Sequence, residues 1–242
     1  MESRDYIDIV RNRSVGLLVS ARTDLTAPIP SCPGWTMAEL IAHVGGTWGW
    51  VASIVSSGER RGEFPTIPNS ITGSALIALV EERVRQLLQV LEGADPAANC
   101  WTFGLPRSAL FWFRRQALET SIHAWDAEGA VAHPAPIDAD LACDGIDEFL
   151  SVMLPRQVKE NPDIWTGQSL HLHRTDGDGE WLVQLGPDGQ TTFENAHGKG
   201  DVALRGPASS LYLWCLNRIP MDDLEVFGDR AVAHQWRSDI AF

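Results

Sequence analysis

The feature that most constrains this chain is a change of hydrophobic period. Over the first ~155 residues apolar side chains return at helical spacing, whereas from about Asp163 onward they fall into short alternating stretches broken by Gly, Asp and Pro. The pattern predicts two domains, a helical bundle over 1–155 and a small α+β unit over 156–242. Four long helices are expected at about 3–21, 37–56, 73–92 and 107–130, with a fifth at about 138–155 linking to the second domain. The second helix has the clearest start: Thr36 with Glu39 three residues on makes a capping box after the Pro33-Gly34 turn, which fixes its register. In the third, Leu76, Leu79, Val80, Val84, Leu87, Leu88 and Leu91 form one apolar face, the mark of a packing helix.

In the second part, 169–173 and 181–185 read as strands joined through a Gly/Asp hairpin at 175–180. Further strands are expected at 190–194, 202–205 and 224–227, with a helix over 207–218 and a last one from Asp229. There is no internal repeat and no low-complexity tract.

Composition narrows the function. A chain of 242 residues, 44% hydrophobic and 21% charged, can bury a substantial core and is not disordered. Its formal net charge of −13 repels nucleic acid and anionic membrane surfaces. No stretch approaches the roughly 18 uninterrupted apolar residues of a membrane span, and the N-terminal residues lack the basic and apolar segments of a secretory signal. A cytoplasmic protein is therefore expected, with no nucleic-acid or membrane partner. Cys32, Cys100, Cys143 and Cys215 are too scattered for a disulfide framework or a thiolate metal site, so most are expected to be reduced core residues.

The strongest chemical constellation is Glu119 with His123. A carboxylate and an imidazole at i and i+4 share a helical face and can bind one metal ion, although such a pair by itself is more often a surface ion pair. Asp126 returns to nearly the same face and can orient His123, and Arg115, one turn earlier on the stripe, adds charge there and is a further candidate for binding the substrate or thiol. His43, among apolar neighbours in the second helix, is either a satisfied core histidine or a third ligand. Taken with Glu119 and His123 it completes two histidines and one carboxylate, the count of catalytic zinc sites that keep a coordination position open. Gly45 and Gly46 allow close approach of a helix or a ligand. Trp48, Trp50 and Trp112, with Trp125, can wall such a pocket or simply form an aromatic core, and Trp35 reads as an anchor in the turn.

Weaker patterns have plainer readings. Residues 176–180 begin like a calcium loop, but Trp181 stands where its glycine is needed and Pro187 where its closing Glu belongs, which leaves a hairpin turn. His171 and His173 share one strand face without an evident third ligand, so cross-strand packing is expected of them. Residues 198–201 lack the remainder of a phosphate loop.

The segment Cys32-Pro33-Gly34-Trp35-Thr36, continuing through Glu39-Leu40-Ile41-Ala42-His43-Val44-Gly45-Gly46, with Glu119, His123, Ala124, Trp125 and Asp126 downstream, resembles the mycothiol-dependent maleylpyruvate isomerase family. Residues 171–183, Gly206-Pro207-Ala208 and Val226-Phe227-Gly228-Asp229 resemble that family's C-terminal domain, so the likeness spans nearly the whole chain. The resemblance implies a DinB/YfiT-like four-helix bundle followed by a small α+β domain that closes one side of the pocket. It implies a divalent metal, usually zinc, on His43, Glu119 and His123, and mycothiol as thiol cosubstrate. It further implies a basic residue of the second domain for the thiol or an acidic substrate, with Arg218 the first candidate and Arg205 the second. The family often carries glycine where this chain has Asn217.

The expected partners are a small thiol and a small electrophile, the reaction either isomerisation or S-transfer, and the protein a monomer or homodimer. Two other classes stay open: a non-catalytic metal- or ligand-binding protein, and a metal-dependent hydrolase on the same bundle.

Overall fold

A computed structural model describes residues 1–60, 66–160, 167–185 and 191–239. Two compact units meet between Ala135 and Pro136. The first contains α1 (Ser3–Thr23), α2 (Met37–Ser57), α3 (Gly73–Gly93) and α4 (Ala109–Val131). Helix α1 packs on α4 and α3, and α2 packs on α3 and α4, which closes a four-helix bundle. Val10, Leu17, Leu40, Val44, Trp48, Leu87 and Leu118 are fully buried at its centre.

The capping box at the head of α2 is formed. Thr36 Oγ1 accepts from the Glu39 backbone N–H, and Glu39 Oε2 accepts from the Thr36 N–H at 2.7 Å. These bonds use N–H groups that the first helical turn would leave unpaired, and they fix the rotation of the helix that carries His43. Farther along, a Cβ on Gly45 would stand 2.9 Å from Val80 Cγ2, so this glycine serves the close approach of α3. On α3 itself Leu76, Val80, Val84, Leu87 and Leu91 are buried as expected, while Leu79 and Leu88 are half-buried.

The second unit begins with α5 (Ala139–Glu148), which continues through a π-helical stretch (Phe149–Met153) into α6 (Leu154–Glu160). The helix expected at 138–155 is therefore longer and lies inside the second unit. Strands β1 (Ser169–Arg174), β2 (Glu180–Leu185), β3 (Thr191–Glu194), β4 (Val202–Gly206) and β5 (Glu225–Gly228) form one sheet in the order β3-β2-β1-β4-β5. Helix α7 (Ala208–Cys215) follows β4, and α8 (Arg230–Asp239) follows β5. The expected strand at 190–194 is described from Thr191; Asp163, Pro187 and Gln190 lie outside the described residues.

Strand pleating divides this sheet into two faces. Leu170, Leu172, Trp181, Val183, Val202 and Leu204 form the buried one. The register places His171 beside Leu182 and Ala203, and His173 beside Glu180 and Arg205, on the other face. Helix α7 ends at Cys215, three residues short of the expected Arg218. The cause is local: Asn217 adopts φ 60°, a left-handed conformation that stops a right-handed helix. Gly145 of α5 meets the ring of Tyr212 of α7, so closely that a Cβ there would lie 2.5 Å from Tyr212 Cζ.

Candidate metal centre

His43 and the pair Glu119–His123 come from different helices and converge. His43 Nε2 lies 3.3 Å from Glu119 Oε1, and His123 Nε2 lies 3.2 Å from the same oxygen. The three donor atoms all fall within 4.8 Å of one another. On α2 the capping box sets the direction of His43, and the edge of the Trp35 ring packs against it at 5.2 Å between centroids. On α4 the i, i+4 spacing brings Glu119 and His123 to one side.

A second layer of contacts holds this set. Asp126 Oδ2 lies 3.0 Å from His123 Nδ1, which turns Nε2 toward Glu119. Asp126 is itself fully buried and accepts from Ser31 Oγ at 2.6 Å, with Cys32 Sγ 3.6 Å from its other oxygen. Arg115 Nη2 donates to Glu119 Oε2 at 2.6 Å, leaving Oε1 to face the two imidazoles.

The electrostatics follow from these contacts. Burial opposes the charge on Glu119, but Arg115 and the hydrogen bonds from His123 and His43 outweigh it, so the carboxyl sits well below its usual range. Burial also disfavours the His123 imidazolium, yet Asp126 and Glu119 prevail and push it up to about 9. The centre is thus built to hold positive charge between carboxylates. Two imidazole nitrogens and one carboxylate oxygen are a donor set suited to a borderline divalent ion such as zinc.

Comparison with known proteins covers both units. Residues 11–128 match the family model "Mycothiol maleylpyruvate isomerase N-terminal domain", and residues 140–235 match "MDMPI C-terminal domain". The chain belongs to the mycothiol maleylpyruvate isomerase family. Crystal structures of the mycothiol-dependent maleylpyruvate isomerase and of a histidine-to-alanine mutant of it share the fold. Each has a TM-score of 0.67 and covers 93% of both chains, at 17% and 16% identity respectively. A search of curated proteins finds no significant match. Among the described residues no helix is long and apolar enough to cross a membrane.

Trp48 is fully buried and donates from Nε1 to Thr120 Oγ1 at 3.1 Å, within the bundle core. Trp112 is buried in an aromatic cluster with Trp50, Trp101, Phe103 and Phe111, and Trp50 with Gly46 and Gly49 borders a cavity against α3. In the second unit, Arg205 pairs at the surface with Glu225 at 3.1 Å. Arg218 Nη1 donates to the Leu216 carbonyl at 2.9 Å, just after Asn217. Asn217 adopts a left-handed φ, a conformation that asparagine tolerates better than most side chains.

Ser31 and Cys32 were not singled out as parts of the site. Cys32 belongs to the quoted turn segment, but only the folded turn shows that both residues reach Asp126. His171 and His173, expected only to pack across strands, do more than that. Glu180 and His197 join them, and the four donor atoms lie within 4.8 Å of one another.

Proposed function

We propose that this member of the family is a divalent-metal-dependent enzyme that uses mycothiol to isomerise a small electrophilic substrate or to transfer sulfur to it, with zinc as the metal. The carrying observation is that His43 Nε2 and His123 Nε2, from two helices, meet one oxygen of Glu119 while Asp126 engages the far side of His123. No fourth His, Cys, Asp or Glu among the described residues joins this group, which leaves room for an exogenous ligand. The fold likeness to a mycothiol-dependent maleylpyruvate isomerase supports mycothiol as that ligand.

In this reading His43, Glu119 and His123 hold the metal and Asp126 keeps His123 aimed at it. Arg115 balances the charge of Glu119 and fixes its second oxygen. A bound divalent ion supplies a Lewis acid that lowers the pKa of a thiol toward neutrality. A thiolate that adds to a conjugated double bond turns it into a single bond free to rotate. Re-expulsion of the thiolate then gives the geometric isomer, and retention gives S-transfer. Arg218, beside the left-handed Asn217, is the first proposed contact for an anionic group, and Arg205, paired at the surface with Glu225, is the second.

The test uses cobalt-substituted protein. Adding mycothiol is expected to produce a sulfur-to-cobalt charge-transfer band, absent in His43→Ala and in His123→Ala, and to support turnover of a maleylpyruvate-like diacid. Cobalt bound at these residues without any band on thiol addition overturns the reading.

A further inference from the structure

The second unit carries a separate cluster of donors whose origin is topological. Strands β3 and β4 run parallel but are separated by β2 and β1, and only residues 195–201 connect them. Parallel crossovers usually take a dozen residues or more and often a helix. This short one lies across the sheet face opposite the buried core. A Cβ on Gly198 would stand 2.6 Å from Leu182 Cδ2, and one on Gly200 would stand 2.9 Å from the His171 backbone nitrogen. The crossover covers His171, which is 5% exposed, and brings His197 over the β1–β2 hairpin.

There three imidazoles point at one carboxylate. His171 Nε2 lies 3.0 Å and His197 Nδ1 2.7 Å from Glu180 Oε2, while His173 Nδ1 lies 3.2 Å from Oε1. Pairwise, the three rings stand nearly perpendicular, with centroids 5.4 to 6.5 Å apart, directed inward rather than stacked. Donors around a tetrahedral zinc at about 2.0–2.1 Å are separated by roughly 3.3 Å. The distances to Glu180 already approach that value. One carboxylate does not need three imidazole partners, whereas the four donors together can fill the shell of one tetrahedral metal ion.

We propose that His171, His173, His197 and Glu180 form a second divalent-metal site, which pins the 195–201 crossover to the β1–β2 hairpin. Three nitrogens and one oxygen, without a thiolate, suit zinc or a neighbouring transition ion rather than magnesium or calcium, which favour oxygen ligands. Four protein donors close the coordination shell, so the site is structural. It does not depend on the function proposed for the bundle.

The experiment counts metal. The full chain is stripped with a chelator, loaded with zinc, passed through gel filtration and analysed for zinc per chain, alone and against a competing chelator. The expected result is one ion more in the parent chain than in His171→Ala/His197→Ala, with that ion held at least about 10–100-fold more weakly in His197→Ala alone, because losing a ligand costs no less than losing a ligand's own partner. The His197 side chain is 79% exposed, so its replacement leaves the fold in place, and circular dichroism checks this. Zinc is also expected to raise the melting temperature of His43→Ala/His123→Ala, and to raise it clearly less once His197→Ala is added. An unchanged zinc count and affinity in His197→Ala overturns the proposal. Failure of the bundle site would appear separately, as zinc insensitive to His43→Ala/His123→Ala.

Discussion

Asp126 shows how much of the centre rests on a residue outside the proposed ligand set. Its carboxylate is fully buried, receives Ser31 on one oxygen and faces His123 with the other. Asp126→Asn keeps the shape and removes the charge that makes His123 a stronger donor. It is expected to weaken metal binding about 10–100-fold, measured by chelator competition, with the helical circular dichroism preserved. Glu119, His123 and Asp126 were legible in the sequence because one helix and its period place all three, and the capping box indicated that His43 belongs to a well-phased helix. Ser31 and Cys32 were not, because a turn's path cannot be read from spacing. Glu180 and His197 were hidden for a related reason: their meeting with His171 and His173 needs the strand register and the crossover together.

Among the elements, the long helices were readable almost to their ends, since each buries one face over several turns. The second unit was readable as strands and helices, but the end of α7 depended on the backbone of Asn217 and the sheet order on pairings distant in sequence. One such junction is expected to respond to pH. Asp201, at the entry to β4, accepts from both the backbone N–H and the hydroxyl of Ser169 at the start of β1, at 2.7 and 2.8 Å. The Ser169 hydroxyl, then its N–H, hold the Asp201 carboxyl below its ordinary value. A carboxyl depressed in the folded state contributes its full stabilisation above the unfolded value of about 3.9 and loses it as pH falls through the folded value. Urea unfolding of Asp201→Asn followed from pH 6 to pH 3 is therefore expected to lose less stability at the acid end than the parent does.

For the whole molecule, the formal charge of −13 acts on every form of the protein. Excess negative charge repels itself in the compact state, and salt screens it as the Debye length shrinks from about 30 Å at 10 mM to about 8 Å at 150 mM. Differential scanning calorimetry across that range is expected to show a rising melting temperature. The division between Ala135 and Pro136 reaches beyond stability. Each unit has its own core, and the two family models match on either side of this point without crossing it. The histidines and glutamate of the bundle are thus encoded on one side of a natural seam. Recombination at that seam could replace the sheet-bearing half, and with it the arginine proposed to meet an anionic group, without altering a codon of the bundle's proposed ligand set. Substrate preference in such a lineage can change by exchange of whole modules as well as by point substitution.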